Sequence, residues 1–125
     1  MAETKFIERS GRQILLIDIA RADLEAVVEV VRQAKALIIA AGRRDILTVT
    51  DVTGTHVNAS IVKVLKEFVA HNGPYVRAGA VVGLDRIRAI EFLAIVKFSG
   101  RNLKAFADVE GAAAWLVTQS SSPAA

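Results

Sequence analysis

Along the first forty residues, the spacing of apolar positions changes from a period of two to a period of three to four. The runs KFIER and QILLID flank Ser10-Gly11-Arg12, a glycine-containing turn of hairpin length, and predict two antiparallel strands. A helix is predicted to start after Asp23, its N-cap, and to end at Gly42. Helical spacing places its apolar residues on one predicted face: Leu24, Val27, Val28, Val31 and Ile38.

Strands and helices alternate through the rest of the chain. Apolar runs predict strands over residues 45–51, 75–83 and 103–107. Helical spacing predicts helices over residues 58–72, 85–98 and 109–116, with Asn58, Asp85 and Asp108 as caps. This order predicts an α/β fold with a mixed five-stranded sheet, parallel interior strands, an N-terminal antiparallel hairpin and four helices.

The predicted helix over residues 85–98 carries two apolar stripes on opposite sides. Ala89, Phe92, Leu93 and Val96 form one, and Ile87, Ile90, Ala94 and Phe98 form the other. A helix that packs on a sheet needs one stripe. Cover by the C-terminal helix or tail would explain the second. Otherwise it is a subunit interface or a lipid-facing patch, and its charged border suits both. That border consists of Arg86, Arg88, Glu91 and Lys97.

Length and composition fit one folded domain. A chain of 125 residues with 53% hydrophobic residues and a mean hydropathy of +0.40 can bury a substantial core, and is apolar enough to share surface with a partner. We expect the domain to span residues 1–117. The polar end, residues 118–125, is expected to be a disordered tail.

Charge and residue types make several classes of function unlikely. The net charge of +3 comes from interleaved acids and bases, so no clustered stripe for nucleic acid is expected. The chain has no Cys and only two His, which removes thiolate chemistry and multi-histidine metal sites; no metal and no cofactor is expected. Neither a signal peptide nor a transmembrane run is visible, so the expected location is cytoplasmic.

The stretch ILTVTDVTGTHVNAS runs from a strand into a polar loop and then a helix, at the sheet edge where α/β proteins bind ligands. Asp51 could accept a phosphoryl group, but no second carboxylate suited to holding Mg²⁺ is placed nearby. His56 with Thr53 or Thr55 lacks a nucleophile elbow. We therefore expect no enzyme and no catalytic residue. The interpretation is a capped turn in which Asp51 and the threonines bond to nearby backbone.

The residue order also resembles a known family. The succession of elements, with LTVTDVTG leading into a helix that contains VLKEF, resembles the STAS domain of bacterial anti-sigma factor antagonists, a (βα) superhelix fold. The segments TDVTG, VLKEFVAHNGPYVRAGAVVGL and KFSGRNLKAFADVEGAAAWL are similar to small stand-alone STAS-like proteins that are also compared with CRAL-TRIO lipid-binding domains. The resemblance covers Ile14 to Leu116.

What this resemblance implies is an interaction module with an unknown protein partner, and a homodimer is expected. In the antagonists, a serine in an Asp-Ser-Ser-Gly-like motif at the start of the corresponding helix is phosphorylated. Here that motif is absent, and Ser60 is the candidate for phosphorylation. The expected partner-binding loop comprises Asp51, Thr53, Thr55, His56, Asn58 and Ser60. The alternative is a carrier of a small apolar or lipid ligand that uses the second stripe of the helix over residues 85–98 and its basic border.

Overall fold

The computed structural model describes residues 2–56, 58–85, 88–90, 92 and 102–119 of the chain. The strands are β1 (Glu3–Arg9), β2 (Arg12–Asp18), β3 (Ile46–Asp51), β4 (Val76–Val82) and β5 (Leu103–Phe106). The helices are α1 (Leu24–Ala41), α2 (Ala59–Asn72), α3, of which residues 88–90 and 92 are described, and α4 (Val109–Gln119). Each predicted element is therefore present.

The five strands form one sheet in the order β1-β2-β3-β4-β5. β1 pairs with β2 antiparallel, and each later pairing is parallel, which confirms the predicted mixed sheet. In the hairpin, Ser10 and Gly11 both have positive φ, at 52° and 75°. Two left-handed residues match the twist of the flanking strands, so this two-residue turn suits the hairpin.

Helices cover both faces of the sheet. α1 and α2 pack on one face, in a cluster that includes Val27, Ile46 and Phe68. α4 packs on the other face, where Leu116 joins Leu47 and other strand residues. Ile46 and Leu47 are neighbours in β3 but belong to opposite clusters, because successive strand side chains point to opposite faces. The prediction that this strand is covered on both faces is confirmed.

The ends of α1 follow the prediction, but its buried face does not. Asp23 Oδ1 accepts a hydrogen bond from Ala26 N at the start, and Gly42 adopts φ 65° at the end. Leu24 and Val28, predicted to lie on the core face, are 39% and 45% exposed. The helix is rotated about its axis so that other positions meet the sheet and α2. Its buried residues are Val27, Val30, Val31, Ala34 and Ile38.

The later helices agree with their predicted starts. Asp85 Oδ1 accepts from Arg88 N at 2.8 Å, as an N-cap does, so α3 begins where predicted. Asp108 Oδ1 accepts from Gly111 N at 2.7 Å and caps α4. α4 continues through Thr118 and Gln119, two positions that the sequence assigned to the tail. Among the described residues, no helix has the combination of length and apolar character that crossing a membrane requires.

Candidate functional site

The loop after β3 begins with an acidic side chain that is used locally. Asp51, the last residue of β3, accepts hydrogen bonds at Oδ1 from Thr53 N at 2.9 Å and from Thr53 Oγ1 at 2.6 Å. This arrangement folds the backbone back on the carboxylate, as in an Asx turn. The predicted bonding of Asp51 to nearby backbone is confirmed, and one of its oxygens is engaged in shaping the loop.

The same loop is tied to the segment that follows β2. The Thr55 hydroxyl donates to the Ile19 carbonyl oxygen, and Arg21 N donates to the Thr53 carbonyl oxygen at 3.0 Å. The Thr55 hydroxyl therefore bonds to backbone far away in sequence, and not within its own turn as predicted, whereas Thr55 N donates to the Val52 carbonyl oxygen of the turn at 2.9 Å. Arg21 has a φ of 57°, a left-handed conformation that is uncommon for a residue with a side chain. The two loops form one hydrogen-bonded unit.

A glycine from a third loop completes this unit. Gly83, directly after β4, has a φ of 88°, and a Cβ built on it would lie 2.1 Å from Thr53 Oγ1 and 2.7 Å from Thr53 Cα. Val52 N also donates to the Val82 carbonyl oxygen at 2.9 Å. Because the contact involves backbone atoms of Thr53, a side chain at residue 83 would displace the loop. Loops from three parallel strands thus meet at the carboxyl edge of the sheet.

The N-terminus of α2 presents the remaining predicted site residues. Asn58 Oδ1 accepts from Ile61 N at 3.0 Å, so Asn58 caps the helix as predicted. Ser60 lies in the first turn and is exposed, as are His56 and Thr53, whereas Thr55 and Asp51 are partly buried. The structure therefore brings all six predicted loop residues to one edge of the sheet. Four of their side chains make the hydrogen bonds described above: Asp51, Thr53, Thr55 and Asn58.

A groove runs between α2 and the start of α3. It has a volume of about 520 Å³ and is lined by both apolar and charged residues. Its basic residues outnumber its single acid. The lining residues are Asn58, Ala59, Val62, Lys63, Lys66, Glu67 and Arg88. Such a surface suits a ligand or partner segment that has an apolar part and a negative charge.

The predicted second stripe of α3 is described at one apolar position. Ile90 is 66% exposed, while Ala89 and Phe92, on the predicted core stripe, are partly buried. At these positions the two sides of the helix differ in exposure. The other members of that stripe lie outside the described residues, as does its border apart from Arg88: Arg86, Ile87, Glu91, Ala94, Lys97 and Phe98.

Several residues that shape the site were not found from the sequence. Three residues outside the loop hold it in place: Ile19, Arg21 and Gly83. The loop follows β3, whereas Ile19 and Arg21 follow β2 and Gly83 follows β4. The glycine after an apolar strand was the one visible signal, since a glycine at a strand end often marks close backbone approach. Within the described part of the chain, no group of three or more His, Asp or Glu side chains is arranged to hold a metal ion.

Comparison with family models and with curated proteins gives no match. Among solved structures, the chain is similar to an uncharacterised protein of the DUF3478 family from Shewanella loihica, described as having a SpoIIAA-like fold. The two share 15% sequence identity over 93% of this chain and 95% of that chain, with a TM-score of 0.65. At this identity the likeness concerns the fold. The chain has the SpoIIAA-like, or STAS-like, α/β fold that its sequence resembles.

Proposed function

We propose that this chain is a non-catalytic interaction module, which binds a protein partner through residues 53–60 and the first half of α2. The observation that carries the proposal is the loop itself. Its backbone is held by hydrogen bonds to two neighbouring segments and by the Gly83 contact, while Thr53, His56 and Ser60 stay exposed. A preorganised loop loses little conformational entropy when it binds. The SpoIIAA-like fold supports a regulatory or interaction role in the same general sense.

A pull-down from the native cell tests this surface. We expect protein with Ser60→Glu or Lys63→Glu to lose a partner that the unaltered chain retains, because both residues are exposed at the start of α2. Ala114→Glu introduces a glutamate, as the other two variants do, at an exposed position of α4 on the other face of the sheet. This variant should retain the partner. Equal retention by all variants would rule out the loop as the binding surface.

Ser60 is the proposed site of a phosphorylation switch on this loop. It lies in the first turn of α2, where the helix dipole favours negative charge, and Lys63 follows one turn later. A phosphate there would add bulk and charge to the binding surface and release the partner. Incubation with kinases from the same cell should modify the unaltered chain and not Ser60→Ala. Absence of modification at Ser60 would contradict the phosphorylation switch. It would not bear on whether the loop binds a partner.

The exposed side of α3 is proposed as a further contact surface, for a partner or a second copy. Ile90 is the most exposed large apolar side chain among the described residues, at 66%. Burying such a side chain against a partner contributes about 1.5–3 kcal/mol. Ile90→Glu should therefore weaken the association that this surface mediates, whereas Ala114→Glu should not. Unchanged binding and unchanged oligomeric state in Ile90→Glu would contradict the role of this surface.

The second candidate function is a carrier of a small apolar or lipid ligand, and the groove between α2 and α3 favours it. Val62 and Ala59 offer apolar surface, and Lys63, Lys66 and Arg88 lie around it. Under this function the protein purified from its native cell should retain acyl chains, seen by native mass spectrometry. It should also bind anionic vesicles more strongly than neutral ones. A protein that purifies without a ligand and binds neither kind of vesicle would exclude the carrier function.

A further inference from the structure

α1 carries an apolar surface that the domain does not use. Four large apolar side chains are exposed among the described residues, and three of them lie on α1: Leu24, Val28 and Ile39, at 39%, 45% and 55%. At 100° per residue these three positions span an arc about 60° wide. Single exposed apolar residues are ordinary on protein surfaces, but these three lie along one arc of one helix and define a stripe.

The stripe is not needed to hold α1 in place. Five other positions of the helix are buried against the sheet and α2, including Val27, Val31 and Ile38. The stripe lies beside this buried face, with Lys35 partly buried between its members. A lysine can lay its aliphatic stem along apolar surface and keep its ammonium group in water. The stripe is thus available to a partner while the core remains closed.

The positions along the stripe are symmetric. The midpoint of Leu24 and Ile39 falls between residues 31 and 32, and the midpoint of Val28 and Lys35 falls at the same place. A two-fold axis through that point would lay a second α1 antiparallel on the first. Leu24 would then face Ile39 of the other copy, about 22 Å along the helix from its own Ile39.

The charged residues of α1 are divided by this midpoint. Glu25 and Glu29 precede the midpoint, and Arg32 and Lys35 follow it. Glu29 and Arg32 form an ion pair within the helix. In the antiparallel arrangement, Lys35 of one copy lies over Val28 of the other, one turn from Glu25. Lys35 of each copy is thereby placed near Glu25 of the other, whereas a parallel, in-register arrangement would place Lys35 against Lys35.

We propose that α1 is a self-association surface, where two copies of this chain pack antiparallel through Leu24, Val28 and Ile39 with Lys35 beside Glu25 of the partner. A contact of a surface with itself closes as a dimer and does not propagate into a filament. The proposal does not depend on the partner-binding loop or on α3, which lie outside this stripe.

The oligomeric state of the unaltered chain and of two variants tests the proposal. Sedimentation of the unaltered chain should show a dimer, and Ile39→Glu should raise its dissociation constant at least about tenfold, because two carboxylates enter the apolar contact. Ala40→Glu places the same charge about 100° around the helix and should leave the dimer intact. A monomeric unaltered chain, or equal behaviour of the Glu variants, would overturn it. Circular dichroism checks that each variant is folded.

Cross-linking tests the antiparallel orientation. The chain has no Cys, so Leu24→Cys and Ile39→Cys variants each carry one thiol. In a mixture, a short bis-maleimide should join residue 24 of one copy to residue 39 of the other in preference to like with like. Preferential joining of like residues would overturn the arrangement. Ile90→Glu, the variant that probes α3, should leave this cross-link unchanged, so the two proposed surfaces fail separately.

Discussion

The two faces of the sheet are covered in different ways. α4 contacts all five strands, and its Ala112, Ala113 and Leu116 are buried with at most 3% exposure. On the other face, α1 and α2 together cover the sheet. Each of the four exposed large apolar side chains in the described part of the chain lies on α1 or α3. Small alanines let α4 approach the sheet closely, and among the described helices α4 covers that face.

The two faces therefore differ in how they use their apolar side chains. The α4 face stabilises the domain and leaves no large apolar side chain exposed among its described residues. The opposite face stabilises the domain with part of its apolar surface and leaves Leu24, Val28 and Ile39 of α1 exposed. Among the described residues, exposed large apolar side chains are therefore found on α1 and α3, while the buried side chains of α4 can change little without loss of stability.

The largest expected effect compares one leucine from each face. Leu116→Ala should lower the free energy of unfolding by about 2–5 kcal/mol, because the side chain is fully buried and leaves a cavity. Leu24→Ala should lower it by at most about 1 kcal/mol, since Leu24 is 39% exposed. Urea unfolding of dilute protein measures both. Similar losses in the two variants would mean that the two faces do not differ as described.

A pair of glycines tests whether the loops are packed rigidly together. Gly42 and Gly83 both have positive φ, but a Cβ on Gly42 meets no atom within 4 Å, whereas one on Gly83 meets Thr53. Gly42→Ala should cost about 1–2 kcal/mol for the backbone conformation alone. Gly83→Ala should cost a further 1–3 kcal/mol, about the penalty of overpacking. Thermal unfolding measures the difference, and equal costs would show that the loop yields freely.

The cap of α2 tests how the loop surface depends on its helix. Asn58→Ala should cost about 1 kcal/mol, because Ile61 N loses its side-chain acceptor. Asn58→Asp keeps an acceptor there and should cost much less. Hydrogen exchange should show faster exchange in the first turn of α2 for the alanine variant alone. Protection that is equal in both variants would indicate that tertiary contacts, and not the cap, hold this turn.

The smallest expected effect concerns pH and the exposed side of α1. Hydrogen bonds from Arg32, and then Gln33, hold the pKa of Glu29 below its usual value. A lowered folded-state pKa means that the pair stabilises the protein above the ordinary glutamate pKa, and that this contribution is lost as pH falls through the folded pKa. Glu29→Gln should therefore lower the melting temperature slightly at neutral pH.

The same variant provides its own control at acidic pH. Once Glu29 is protonated in the unaltered chain, the melting temperatures of Glu29→Gln and the unaltered protein should converge. Arg32→Gln should reproduce the neutral-pH loss, since it removes the other half of the pair. A constant difference across the pH range would show that the charge of Glu29 is not the cause.

Residues near in sequence determined much of this protein. Asp23, Asn58 and Asp85 were predicted as caps and each accepts a hydrogen bond from a backbone N–H three residues later. A cap depends on one side chain and the adjacent turn, so local sequence suffices to find it. The alternation of strands and helices likewise determined the mixed sheet and its antiparallel edge, because each period of apolar residues suits one kind of element.

Tertiary structure alone decided which surfaces meet. Sequence placed Leu24 and Val28 in the core, but the rotation of α1 against the sheet exposed them. It left Thr55 within its own turn, whereas the fold brings the Ile19 carbonyl to its hydroxyl and Gly83 to Thr53. These contacts join segments that follow three different strands. They exist only once parallel pairing has aligned those strand ends, and no local pattern encodes that alignment.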